Sequence, residues 1–174
     1  MTQPPLAVFL HGSIGVGKTT LGMALAERCS AVYVDGDQYQ LPDRPWFASS
    51  LTVARSLAEA ALRETSSASL VVLGYPLRCA DRLYLRLRLE RAGVSTMFVN
   101  LYLSLNSIFS PERGRTFTDW ERRRTAEMVE QGYNSCPWSD ARVDTSGTRE
   151  SSVKALMAAV ESVRSSMGSQ EPDT

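Results

Sequence analysis

The stretch Gly12-Ser13-Ile14-Gly15-Val16-Gly17-Lys18-Thr19 constrains this chain more than any other part of it. It fits the pattern G-x-x-x-x-G-K-[ST] completely. Before it stands the apolar run Leu6–His11, which stops at a glycine as a buried strand would. After it, Leu21, Ala24, Leu25 and Arg28 recur at helical spacing. A strand must therefore feed a helix through a tight glycine-rich turn. In that setting glycines let successive backbone N–H groups turn inward as an anion nest, with no side chain in the way. The following helix directs its positive end at the same place. Lys18 adds a point charge for the outer phosphates, and the Thr19 hydroxyl can ligate Mg²⁺. Gly12, Ser13, Gly15, Val16, Gly17, Lys18, Thr19 and Thr20 are the expected phosphate-binding residues.

Strand and helix patterns go on alternating. Residues 31–34 read as a second strand ending at Asp35-Gly36-Asp37. Pro42, Pro45 and Trp46 mark a loop, and residues 51–64 a helix with Leu51, Ala54, Arg55, Ala58, Ala61 and Leu62 near one face. Residues 70–73 form a third strand closed by Gly74. Residues 79–92 form an arginine-rich helix in which Leu83, Leu87 and Glu90 recur, stopped by Gly93. Residues 96–103 form a fourth strand. Residues 104–117 show no clear period and read as a loop. Thr118 and Asp119 can cap a helix to about Gln131. Ala141–Asp144 is a brief last strand and residues 151–164 a final helix. This order predicts an α/β domain with a mainly parallel sheet of about five strands and helices on both faces. One domain spans residues 1–165, and residues 166–174, small and polar, form a flexible tail. In such sheets ligands bind at the carboxyl ends of the strands, beside the switch in strand order.

Composition excludes several classes. The chain has 174 residues, enough for one core. Nineteen basic and nineteen acidic residues cancel, which gives no support to a nucleic-acid partner. The longest apolar runs are strand-sized and far short of a membrane span. No positively charged stretch precedes the first apolar run, so it reads as a core strand and not a signal peptide. The three cysteines, Cys29, Cys79 and Cys136, are too scattered for a disulfide framework and read as reduced thiols of a cytoplasmic protein. Lys18 and Lys154 are the only lysines, so arginine abundance by itself says little about phosphate recognition. His11, the single histidine, reads as a packed strand-end residue with no catalytic role.

Both carboxylates of Asp35-Gly36-Asp37 leave the second strand toward the crevice. One can hold Mg²⁺ or its water, while the other orients an acceptor hydroxyl and receives its proton. The glycine-rich turn followed by Val34-Asp-Gly-Asp-Gln-Tyr39 resembles the small P-loop kinases of metabolites: shikimate, gluconate and adenylylsulfate kinases and the chloramphenicol phosphotransferase group. The resemblance implies a three-layer fold with strand order 2-3-1-4-5, ATP and Mg²⁺ as cofactors, and γ-phosphate transfer to a hydroxyl of a metabolite or antibiotic-like acceptor. It further implies that Asp35 takes the base or metal-water role, with Thr19 on the metal, and that Asp37 binds the acceptor.

Gly74-Tyr75-Pro76-Leu77-Arg78 resembles the G-F-P-R segment of adenylate-kinase-like enzymes, where the arginine binds a substrate phosphate. Tyr75 and Arg78 are thereby expected acceptor contacts. Leu77 is inserted before the arginine, and Leu73 replaces an aspartate that often supports the metal, so Asp35 or Asp37 must supply that support. Residues 105–117 lie where related kinases keep a lid, and Arg113 and Arg115 can close over the phosphates. Of Arg122, Arg123 and Arg124, successive helix residues cannot all face one site. Residues 143–147 are similar to the loop that carries adenine in small kinases, with Thr145 as a contact. Trp46, Phe47, Tyr75, Phe117, Tyr133 and Trp138 either line an acceptor pocket or pack as core and rim. A nucleoside or nucleotide kinase, or an ATPase or regulatory protein with no phosphoryl acceptor, are the alternatives. The chain contains no N-K-x-D guanine motif, which disfavours a GTPase.

Overall fold

The computed structural model describes residues 3–42 and 46–168, and the side chains of residues 46–49, 167 and 168 lie outside that description. The pocket role expected of Trp46 and Phe47, and most of the predicted tail, therefore fall outside the described residues. The elements are β1 (Leu6–His11), α1 (Lys18–Arg28), β2 (Val32–Asp35), a 3₁₀ turn (Gly36–Tyr39), α2 (Trp46–Thr65), β3 (Leu70–Gly74) and α3 (Cys79–Glu90). They continue with β4 (Ser95–Tyr102), α4 (Leu105–Ile108), a second 3₁₀ turn (Pro111–Arg113), α5 (Asp119–Glu130), β5 (Ala141–Asp144) and α6 (Arg149–Gly168). The five strands form one parallel sheet in the order β2-β3-β1-β4-β5.

Burial explains that order. β1 and β3 are buried along their whole length, as central strands with helices on both faces must be, whereas β2 and β5 stay half-exposed at the edges. The pleat of β1 divides the core. Leu6, Val8 and Leu10 pack with Leu21 and Leu25 of α1 and Leu156 of α6 on one face. Ala7 and Phe9 pack with Leu57 of α2 and Leu85 and Leu89 of α3 on the other. There Phe9 stacks on Phe98 of β4 with ring centroids 4.9 Å apart. Because β1 lies between β3 and β4, its carboxyl end opens at the switch in strand order, where the glycine-rich turn sits. No helix among the described residues is long and apolar enough to cross a membrane.

Several expected elements shift. α2 begins at Trp46, so Trp46 starts a helix and does not belong to the loop before it. Its core face is Val53, Ala54, Leu57, Ala58 and Ala61, while Leu51 and Arg55 point outward. In α3 the recurring Leu83 and Leu87 are 49% and 55% exposed, and Leu85 and Leu89 are buried instead. Asp81 sets that rotation. Its buried carboxylate accepts from the Arg78 N–H at 2.9 Å and from the Ser50 hydroxyl at 2.8 Å, which turns the 81, 85, 89 stripe inward. Residues 104–117 are not wholly irregular: Ser104 caps the one-turn α4, and Ile108 anchors it in the core. Thr118 caps α5 as expected, with Glu121 completing a reciprocal capping box.

Candidate active site

The cradle is built from backbone conformations that only glycine adopts freely. Gly12 has φ 144° and Gly15 φ 84°. A Cβ at Gly12 would lie 2.7 Å from the Leu101 carbonyl oxygen, and one at Gly15 would lie 2.8 Å from Ile108 and 2.9 Å from Phe117. The loop is thus pressed against β4 on one side and the lid segment on the other. Lys18 curls back over it, its ammonium donating to the carbonyls of Gly12 at 3.1 Å and Ser13 at 2.7 Å. Burial pushes its pKa down to about 8, with Asp37 pulling the other way. Such an ammonium gains most from an arriving anion.

Thr19 and Asp35 come together: the Thr19 hydroxyl donates to Asp35 Oδ2 at 3.2 Å. Asp35 Oδ1 accepts from the Asp37 N–H at 3.0 Å, which fixes the 3₁₀ turn after β2. The Asp37 carboxylate accepts from Gln40 Nε2 at 2.7 Å. Loss of solvent at the crevice wall raises its pKa above the usual carboxylate range, against the pull of Lys18. The neighbouring Tyr75 hydroxyl is pushed up strongly, by burial first and then by Asp37.

Lys18, Thr19, Thr20, Asp37, Tyr75, Arg113 and Arg115 all line one cavity of about 460 Å³. Strand ends β1, β2 and β3 and the lid segment therefore converge as the sequence suggested. Asp35 reaches the cavity edge through Thr19. Leu73 is buried in the core, so the end of β3 offers no carboxylate. Among the described residues no cluster of three or more acidic, histidine or cysteine side chains could cage a metal. The hydroxyl–carboxylate pair of Thr19 and Asp35 fits Mg²⁺, which takes most of its ligands from phosphates and water.

The other expected residues are placed as follows. Arg113 donates to the Thr145 carbonyl at 3.3 Å. Arg115 lies over the Phe117 ring at 4.7 Å and donates to Glu121 at 3.1 Å. The buried Thr145 hydroxyl lies 3.1 Å from the Val16 and Tyr102 carbonyls, so this side chain braces the cradle from behind. Ser13 and Val16 are likewise buried and do not line the cavity: Ser13 bonds to Asn134 and Lys18, and the Val16 carbonyl to Thr145. Arg78 stands apart from the main cavity. Leu77 is buried in the core, and Arg78 becomes the residue before α3, its guanidinium on Asp81 at 3.2 Å and on the Ser50 hydroxyl. It lines a separate 280 Å³ cavity with Tyr133 and Trp138. Phe117, against Gly15, is buried.

His11 is packed, as expected. Its Nε2 lies 2.8 Å from the Ser139 hydroxyl and its ring stacks on Trp138 at 4.5 Å. Burial, and secondly Lys18, lower its pKa to about 3.

Sequence reasoning missed Gln40, Pro76, Trp120, Glu121 and Met128, which also line the main cavity, and left open which of Arg122, Arg123 and Arg124 would. Of the arginine triplet on α5, Arg124 turns inward and is 8% exposed, while Arg122 and Arg123 face solvent. A buried Met128 four residues on marks the same face, and that spacing was the available signal.

No family model matches the sequence, and no relative among curated proteins does. Solved structures share its fold. A gluconokinase from Sinorhizobium meliloti superposes with a TM-score of 0.73 at 18% identity, over 95% of this chain and 97% of that one. An APS kinase from Mycobacterium tuberculosis, solved with AMPPNP and APS, gives 0.70 at 18% identity over 92% and 99%. A shikimate kinase from Bacteroides thetaiotaomicron gives 0.61 at 18% identity over 90% and 98%. At these identities the likeness establishes the P-loop fold, with the strand order 2-3-1-4-5 that the resemblance implied.

Proposed function

We propose that this protein is an ATP-dependent phosphotransferase that moves the γ-phosphate to a hydroxyl of a small-molecule acceptor, a metabolite or an antibiotic-like compound. One observation carries the reading: the Asp37 carboxylate and the Lys18 ammonium line the same cavity as two lid arginines. A proton acceptor thus stands beside a phosphate cradle. The kinases that share the fold support it by analogy.

In this mechanism the backbone of Gly15 to Thr20 binds the phosphates, and Lys18 exchanges the Gly12 and Ser13 carbonyls for phosphate oxygens. Thr19 and Asp35 would hold Mg²⁺, which neutralises charge on the β- and γ-phosphates. Asp37, its basicity raised at the crevice wall, orients the acceptor hydroxyl and takes its proton. Tyr75 flanks the acceptor in the main cavity, while Arg78, drawn to Asp81 and lining the second cavity, has no part in this mechanism. Arg115 leaves Glu121 and joins Arg113 over the transferred group, excluding water as the lid closes. Thr145 holds the loop on which the adenine rests. The reading places the protein in the cytoplasm, without nucleic-acid or membrane partners.

The test is to incubate the protein with ATP and Mg²⁺ against pooled nucleosides, sugar acids and hydroxylated antibiotics, following acceptor mass for one added phosphate. ADP released at the same rate with and without any acceptor would replace this reading by an ATPase.

A further inference from the structure

The peptide unit joining Gly12 to Ser13 is gripped at both ends. Its carbonyl accepts from Lys18 Nζ at 3.1 Å, and its N–H donates to Asn134 Oδ1 at 2.9 Å. The same carboxamide donates through Nδ2 to the Leu103 carbonyl, just past β4, at 2.9 Å. Its partners are an N–H and a carbonyl, so the two ends of the carboxamide cannot be exchanged. Asn134 is 4% exposed and lies four residues past the end of α5, the helix that follows the lid segment.

The segment holding Asn134 is anchored independently of that side chain. The Tyr133 carbonyl accepts from Asn100 Nδ2 of β4 at 2.7 Å, and the Asn134 carbonyl accepts from Arg142 of β5 at 3.4 Å. Toward the lid, the Tyr133 N–H donates to the Met128 carbonyl at 3.0 Å. Between lid helix and anchor stands Gly132, with φ 83°, the one left-handed position where α5 ends. α5 carries Glu121, which holds Arg115, and Arg124 and Met128, which line the cavity. α5 therefore stops at the left-handed Gly132, and Asn134 lies beyond that stop, bonded to the cradle.

We propose that Asn134 is a positioning residue that ties the base of the lid to the phosphate cradle and sets the Gly12–Ser13 peptide on which Lys18 waits. The proposal rests on the nucleotide-binding reading above. An uncharged group that accepts on one side and donates on the other meets both partners without bringing a charge beside Lys18. A carboxylate accepts from Ser13 but repels the Leu103 carbonyl. An apolar side chain leaves a buried N–H and a buried carbonyl unpaired. Polarisation of the peptide by Asn134 also strengthens its carbonyl as the resting partner of Lys18.

The experiment uses Asn134→Ala and Asn134→Asp in the full chain, with ATP and ADP affinities measured by calorimetry between about pH 5.5 and 8.5, each as a ratio to wild type at the same pH. Asn134→Ala is expected to bind about tenfold more weakly across the range, the order of effect when the Ser13 N–H that sets the cradle peptide loses its buried partner. Asn134→Asp is expected to approach wild type at the acid end, where a protonated carboxyl regains the donor, and to match the alanine variant at the alkaline end. A merely structural contact has no reason to give that pH-dependent rescue in affinity. Amide exchange serves as the second measurement: residues 12–18 should lose protection in Asn134→Ala while β1 and β4 keep theirs. Affinity within about twofold of wild type in Asn134→Ala, or an Asn134→Asp variant with no acid rescue, overturns the proposal. Equal exchange losses in β1 and the cradle overturn it as well, since they report general loosening. Absence of nucleotide binding by the wild-type protein overturns the functional reading instead, and the exchange pattern then decides whether the clamp itself exists.

Discussion

The cradle and the lid face each other across one cavity but are held by different forces. Backbone conformation holds the cradle: positive φ at Gly12, Gly15 and Gly17, close approach to Leu101, and Asn134 and Thr145 fastening its back. The lid rests on side chains. Arg115 and Glu121 are 48% and 26% exposed, a pairing that contributes about 0–1 kcal/mol. Capping by Thr118, the edge contact of Phe109 with Phe117 at 5.2 Å, the buried Ile108 and the Arg113 bond to the Thr145 carbonyl add to it. A rigid half and a more lightly fastened half suit the proposed function, in which phosphate is bound firmly and the site still opens for exchange. Substitutions in the first should damage binding, and those in the second turnover.

The largest effect is expected at the cradle. Gly15→Val introduces a branched side chain at φ 84° against Ile108 and Phe117. Nucleotide affinity should fall by about a hundredfold or more, the order of 3 kcal/mol for combined strain and clash. Calorimetric titration with ATP checks it, and retained binding would mean that the loop is softer than its geometry implies. Asp37→Asn separates the two halves chemically. Turnover should drop by roughly 10²–10⁴-fold while ATP affinity stays within about threefold. Equal losses in both would remove Asp37 from proton transfer and make it a cradle residue.

The underside of the cradle provides a pH test. His11 is neutral in the fold, its pKa lowered to about 3 by burial, while the unfolded chain titrates near 6.5. The unfolded state therefore binds the extra proton first as pH falls. Stability is fully present above about pH 6.5 and is lost toward pH 3, by up to about 1.4 kcal/mol per pH unit from this group. Urea midpoints from pH 7 to 4 should fall in wild type and fall less in His11→Gln. Parallel curves would assign the acid sensitivity elsewhere. The smallest effect is expected at the lid: Arg115→Met should change stability by less than about 1 kcal/mol. Its turnover should drop about tenfold or more, as loss of a charge-stabilising arginine does. A thermal melt beside a rate measurement separates the two, and an unchanged rate would leave Arg115 as a surface residue.

Local chemistry explains what could be read before the fold was known. Leu6–His11 and Lys18–Arg28 stand where periodicity put them, because a strand, a nest and a helix are each specified by neighbours in sequence. Asp35 and Asp37 were legible for the same reason, as residues at a strand exit. The rotation of α3 was not. Leucines recur at 83, 85, 87 and 89, and only the anchoring of Asp81 by Ser50 and the Arg78 N–H chose Leu85 and Leu89 for the core. Arg78 was claimed by the same carboxylate, which turned an expected acceptor contact toward a second cavity.

From its sequence alone, then, this protein was committed to a glycine-rich turn between β1 and α1, to alternating strands and helices, and to two carboxylates at the end of β2. These depend on φ preferences and on spacing along one segment, which a sequence carries explicitly. Tertiary structure alone decided that Ser50 meets Asp81 and so puts Leu85 and Leu89 in the core, that Arg78 reaches the same Ser50, and that Asn134 reaches back to Ser13. Each of those is a contact between segments far apart in the chain. Burial and hydrogen-bond satisfaction select such contacts only once the sheet has brought the segments together.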